Sequence, residues 1–125
     1  MRRLDWPKQR RLLNSAQFQA CYEQGEKLFT RHFVCFVLPR ADASAGFRLG
    51  LTVSRKLGKA VARNRIKRVV REFFRLRQQT VPDGLDIVVV PKRTLDASRL
   101  DLDRVATEFT PLLARMDVMR ARAGG

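Results

Sequence analysis

The chain is poor in the side chains that enzymes use most. Its 125 residues include one histidine, His32, two cysteines, and 12 acids against 26 lysines and arginines. A lone histidine is more often structural than a general base, and no carboxylate pair sits at short spacing near the most basic stretch. Asp101 and Asp103 fall in the first turn of the last expected helix, where acids favour the helix dipole. A protein-held Mg2+ site needs an acidic cluster, and none is visible. Cys21 and Cys35 have no CxxC spacing and no His or Cys cluster beside them, which argues against zinc. Both sit among apolar residues and read as reduced core residues, with a disulfide as the lesser alternative. No segment approaches the ~20 apolar residues of a transmembrane helix. The opening MRRLDWPKQRRLL has no apolar run behind its arginines, so it does not read as a secretory signal, and a cytoplasmic location is expected.

What remains is a cationic globular chain. Its formal net charge is +14 and its apolar fraction is 45%. That apolar fraction is ordinary for a folded domain, so the charge does not belong to a disordered tail. The length suits a single domain over residues 1–125 with a modest core. A folded domain this basic reads first as a nucleic-acid binder, with a membrane surface as the rival on charge alone.

The charge concentrates in SRKLGKAVARNRIKRVVREFFRLR, Ser54 to Arg77. Arg55, Lys56, Lys59, Arg63, Arg65, Lys67, Arg68, Arg71, Arg75 and Arg77 face a single acid there, Glu72. Placed on a helix from Val61, Ile66, Val69, Val70, Phe73 and Leu76 gather on one side. Arg63, Asn64, Lys67, Arg68, Arg71 and Arg75 gather on the other, within about 140°. Like charges at i,i+4 destabilise a helix by a few tenths of a kcal/mol per pair. A solvated face would interleave acids with these cations. Their near absence favours a polyanion partner.

Along the chain, Met1 to Arg11 reads as a flexible basic arm that Trp6 could pin. Asn14 or Ser15 caps a helix from Ser15 to Gln24 that stops at Gly25, with Gln17 as capping-box partner. Phe18, Cys21 and Tyr22 share its face. Glu26 to His32 is a polar connection with room for a short strand at Leu28–Phe29. FVCFVL, Phe33 to Leu38, is a strand that sends Phe33, Cys35 and Val37 one way and Val34, Phe36 and Leu38 the other. FRLGLTVS, Phe47 to Ser54, alternates strictly and is expected to pair antiparallel with it across a hairpin. Its Arg48, Gly50, Thr52, Ser54 face is small and polar, open to close approach by a ligand. The central helix is expected to end near Gln79, and DIVVVP, Asp86 to Pro91, suits an interior strand. Ser98 is expected to cap a last helix, with Asp101 as capping-box partner, Pro111 kinking it and a frayed tail from Asp117. The strand–helix–strand passage suggests a parallel pair, and the whole is an α+β sandwich with a small mixed sheet.

Lys56, Gly58, Ala60, Val61, Arg63, Asn64, Lys67, Arg68 and Arg71 spell K-x-G-x-A-V-x-R-N-x-x-K-R-x-x-R. This long motif, with Arg-Asn-Arg at 63–65, resembles the signature of the bacterial ribonuclease P protein component. The resemblance runs from about Arg11 to Leu113 and takes in RLLNSAQFQACYEQG and FRLGLTVS. It implies an α-β-β-β-α-β-α two-layer sandwich with a left-handed β-α-β crossover, against the usual right-handed rule; a ribosomal-protein domain shares this fold. It implies a protein subunit of a ribonucleoprotein that removes the 5′ leader from precursor tRNA. The RNA subunit would carry the chemistry with Mg2+ held mainly by RNA phosphates. The protein would have no catalytic residue of its own, and Asn64 is the one candidate to touch a hydrated ion.

The same resemblance implies a leader-binding cleft between the first helix and one sheet face, lined by Phe18, Tyr22 and Phe36. Phe36 stands for a tyrosine in some relatives and Tyr22 for a phenylalanine; stacking survives both exchanges. Core packing is the competing reading for each aromatic, strongest for Phe18. RNA contact is expected from Lys56, Lys59, Arg63, Asn64, Arg65, Lys67, Arg68, Arg71 and Arg75, with Arg65 off the main stripe. The expected partners are the catalytic RNA and precursor tRNA. The rivals are a purely structural RNA-binding protein and, with no helix-turn-helix pair evident, a DNA-binding regulator.

Overall fold

A computed structural model describes residues 14–41 and 46–124. The arm expected at Met1 to Arg11 lies outside them. The elements run α1 Ser15–Gln24, β1 Glu26–Phe29, β2 Phe33–Pro39, β3 Arg48–Leu51, α2 Ala60–Leu76, β4 Leu85–Pro91 and α3 Leu102–Gly124. Short 3-10 turns at Arg55–Leu57 and Ala97–Arg99 precede α2 and α3.

The first helix begins as its cap predicts: Asn14 Oδ1 accepts from Gln17 N at 2.9 Å. It stops at Gly25 for a reason other than a left-handed turn, since Gly25 has φ −72°. A Cβ there would meet the Cys21 carbonyl oxygen at 2.5 Å and the Val37 backbone at 3.3 Å. Glycine is needed so that the turn into β1 can pass close against β2.

The sheet order is β1-β2-β4-β3. The expected hairpin between Phe33–Leu38 and Phe47–Ser54 does not form, because β4 lies between those strands. β2 pairs antiparallel with both β1 and β4, and β3 pairs parallel with β4 through the α2 crossover. Burial explains the order. β4 is apolar on both faces and nearly all buried, so it takes an interior place. β3 has only four residues, two of them Arg48 and Gly50, and suits an edge. The hairpin that does form joins β1 to β2, where mainly a polar connection was expected.

Phe33, Cys35 and Val37 of β2 join Ile87 and Val89 of β4 in the main core, under α2 and α3. Phe36, Leu38, Val88 and Val90 turn to the opposite face, where α1 packs with Cys21 fully buried. The two cysteines are unpaired, one on each side of the sheet.

Three boundaries differ from expectation. α2 ends at Leu76, not near Gln79; Leu76 is exposed and Phe74 takes the buried place. Ser98 does not cap α3. It sits in the 3-10 turn, bonded to Asp96, while Asp101 Oδ1 accepts from Arg104 N at 2.9 Å. Buried Leu100, in extended conformation, separates the turn from the helix. α3 also runs on to Gly124 where a frayed tail was expected. Met116 and Met119 continue its buried stripe, and Arg120 Nη1 donates to the Arg40 and Gly84 carbonyls, each at 3.1 Å.

Candidate nucleic-acid interface

The aromatic cluster on the α1 face is built by two periodicities meeting. Helical spacing puts Phe18, Cys21 and Tyr22 on one side of α1, and strand alternation turns Phe36 towards them. Tyr22 meets Phe36 edge-on, with ring centroids 5.0 Å apart and planes at 87°. Phe18 and Tyr22 lie 6.5 Å apart at 36°. All three rings are half-buried around buried Cys21 and Val88. They are packed in place and still partly exposed. Tyr22 Oη and Thr52 Oγ1 lie 2.6 Å apart, which ties the helix to the polar edge beyond β3. Burial pushes the Cys21 thiol up to about 11, and Asp86 adds to that shift while Arg48 opposes it.

The basic run starts at this same edge. Ser54 Oγ accepts from Lys56 N at 3.1 Å and opens the 3-10 turn, and Gly58 follows at φ +130°. That dihedral needs glycine. It swings the chain into α2 and leaves Lys56 and Lys59 exposed. On α2, Asn64, Arg68 and Arg71 are exposed, and Arg63 and Lys67 are half-buried. Arg63 Nε donates to the Gly58 carbonyl at 3.3 Å, which steadies the turn. Arg75 pairs with Glu72, the one acid of the stretch, so its charge is partly spent.

Arg65 stands apart, as its off-stripe position predicted. Its Nε and Nη2 donate to the carbonyls of Ala97 and Leu100 at 3.0 and 2.8 Å. It anchors α2 to the turn before α3. Those carbonyls lie more than thirty positions away, so no local pattern points to them.

Three residues beside this cluster escaped sequence reasoning. Lys27 and Phe29 of β1 and Lys92 after β4 share the sheet face of Phe36. Lys27 Nζ sits 5.8 Å from the Phe36 ring centroid, and Lys92 Nζ sits 5.7 Å from that of Phe29. The alternation Lys27, Leu28, Phe29 carried the signal, because buried Leu28 sends both neighbours to the other face.

His32 Nδ1 and Glu108 Oε2 lie 2.6 Å apart, and Glu108 Oε1 accepts from His32 N and Thr30 Oγ1. The histidine thus ties the β1–β2 turn to α3. Among the described residues no three His, Cys, Asp or Glu gather into a metal-binding group. No described helix is long and apolar enough to cross a membrane.

The ribonuclease P family model matches residues 6–117, nearly the whole chain and all of the interface just described. The chain belongs to the ribonuclease P protein family. It is 47% identical to the ribonuclease P protein component of Maridesulfovibrio salexigens over 117 residues, covering 94% of each chain. It is 52% identical to that of Oleidesulfovibrio alaskensis over 103 residues, covering 82% of each. Among solved structures, the ribonuclease P protein of Thermotoga maritima superposes with a TM-score of 0.74 at 36% identity, covering 84% of this chain and 96% of that one. The Staphylococcus aureus protein gives 0.73 at 32% identity, covering 86% and 94%. The α+β fold with its small mixed sheet is thus the fold of the ribonuclease P proteins.

Proposed function

We propose that this chain is the protein subunit of a tRNA-processing ribonucleoprotein, binding the catalytic RNA and the single-stranded 5′ leader of precursor tRNA. One observation carries the reading: a half-buried aromatic cluster, Phe18, Tyr22 and Phe36, lies at the edge where the basic run begins. Aromatic faces stack on unpaired bases without reading sequence. Exposed cations neutralise phosphates and release counterions. Lys56, Lys59, Arg68 and Arg71 are placed for phosphates, with Arg63, Asn64 and Lys67 beside them. Arg65 and Arg75 act mainly by shaping the helix.

Mg2+ would supply the hydrolytic chemistry on the RNA. The described side chains do not offer the acid cluster of a protein-held Mg2+ site. This chain's part is to hold the leader and neutralise phosphate charge near the cleavage point. The working place is the cytoplasm, in keeping with two unpaired buried cysteines.

The test is cleavage of precursor tRNA at low Mg2+ by bacterial ribonuclease P RNA, with and without the chain, beside a protein-only control. Stimulation only with both components is the expected result. Cleavage by the chain alone would overturn the assignment of chemistry to RNA. RNA binding without stimulation would favour a purely structural RNA-binding role. Arg68→Glu with Arg71→Glu should flatten the salt dependence of RNA binding by roughly 0.7 per lost single-strand phosphate contact. An unchanged slope removes this face from the interface.

A further inference from the structure

We propose that Phe29, with Lys92, forms a second stacking station for an unpaired RNA base beside the aromatic cleft. The inference rests on reading that cleft as a single-strand site. Phe29 is 59% exposed, the most open aromatic among the described residues. It lies on edge strand β1, where an apolar ring in water is a stability loss that a ligand can recover.

The strand register decides which way it faces. Phe29 opposes Val34 and Lys27 opposes Phe36, so Phe29 shares the sheet face of Phe36. The two aromatics are diagonal neighbours, a relation that spans ~7–8 Å across an antiparallel pair. They are adjacent stations on one surface. Val34 and Val90, both half-buried, pair beside Phe29 on that face.

The cations identify the occupant. Lys92 Nζ sits 5.7 Å from the Phe29 ring centroid and is held there by donating to the Thr30 carbonyl at 2.7 Å. Lys27 Nζ stands in the same relation to Phe36, at 5.8 Å. Each ring therefore carries its own ammonium. A nucleotide presents a flat base and a phosphate together, which is the complement of a ring and a cation. On a chain of net charge +14, an RNA strand continuing from the cleft fits this surface better than a protein partner.

The test uses the enzyme reconstituted from the full chain and bacterial ribonuclease P RNA, with precursor tRNAs whose leaders lengthen one nucleotide at a time. Wild-type affinity should rise in steps with leader length. Phe29→Ala should lose one late step, about fivefold or more, and leave the shortest leaders unaffected. Phe29→Trp should keep the step, and Phe29→Leu should lose it as alanine does. Three results overturn the inference: no loss with alanine at any length, equal loss at every length, or a step retained by leucine. A wild type with no leader-length dependence sinks the cleft reading itself, whereas dependence untouched by Phe29→Ala sinks this inference alone.

Discussion

Asp86 is the one buried charged side chain among the described residues, and Asp86→Asn should cost the fold about 3 kcal/mol. Its Oδ1 accepts from Arg40 Nη1 at 2.8 Å and Arg48 Nε at 2.7 Å, and its Oδ2 accepts from Arg48 Nη2 at 2.5 Å. Asparagine keeps the volume, so no cavity forms. It takes the carboxylate charge away from two guanidinium groups whose side chains are 14% and 26% exposed. Breaking a buried pair costs about 3–5 kcal/mol. The low end applies because Arg48 still reaches water and Arg40 keeps the Gly46 and Leu85 carbonyls. At about 4 °C per kcal/mol for a domain of this size, Tm should fall by roughly 12 °C. Urea unfolding followed by circular dichroism measures the loss directly, and an unchanged slope on denaturant certifies that the states compared are the same. Adding Arg48→Met should recover part of the loss by removing a stranded charge. A loss below about 1 kcal/mol, the scale of an exposed pair, would refute the reasoning. So would a double variant weaker than Asp86→Asn alone.

Glu108 predicts a pH dependence. Burial pushes its carboxyl up, but hydrogen bonds from Thr30 and His32 outweigh burial and hold it below the ordinary glutamate range. A depressed carboxylate contributes stability above its unfolded value, about 4.3, and loses it as pH falls through the folded value. The stability gap between wild type and Glu108→Gln should therefore narrow as pH falls below about 4. Denaturant melts across that range measure it, and a gap unchanged at the acid end counts against the pairing. The thiols make a second prediction. Burial pushes Cys21 up to about 11 and Cys35 up to about 12, with Asp86 and Glu108 adding to the respective shifts. Neither should react promptly with a thiol reagent at neutral pH in the native chain, and both should react in denaturant. Fast labelling of either in the folded protein would contradict its burial.

Local periodicity carried much of this molecule. The 3.6-residue repeat set the buried and cationic sides of α2, and it gathered Phe18, Cys21 and Tyr22 on α1. The two-residue repeat divided β2 between two cores and put Phe36 opposite Phe33. The Arg-Asn-Arg motif with its flanking basic residues pointed to the family. Each of these is fixed by neighbours within one or two turns, so the sequence displays it openly. Strand order is a different kind of fact. β4 enters between β2 and β3 because its apolar faces must both be covered, and that depends on every other element at once. The same holds for Arg65 on the Ala97 and Leu100 carbonyls, and for Asp86 between Arg40 and Arg48. Phe29 becomes a neighbour of the cleft only through the register of β1 on β2. Sequence determined which faces exist and what they carry; only tertiary packing decided which faces meet, because burial and charge pairing act between residues far apart in the chain.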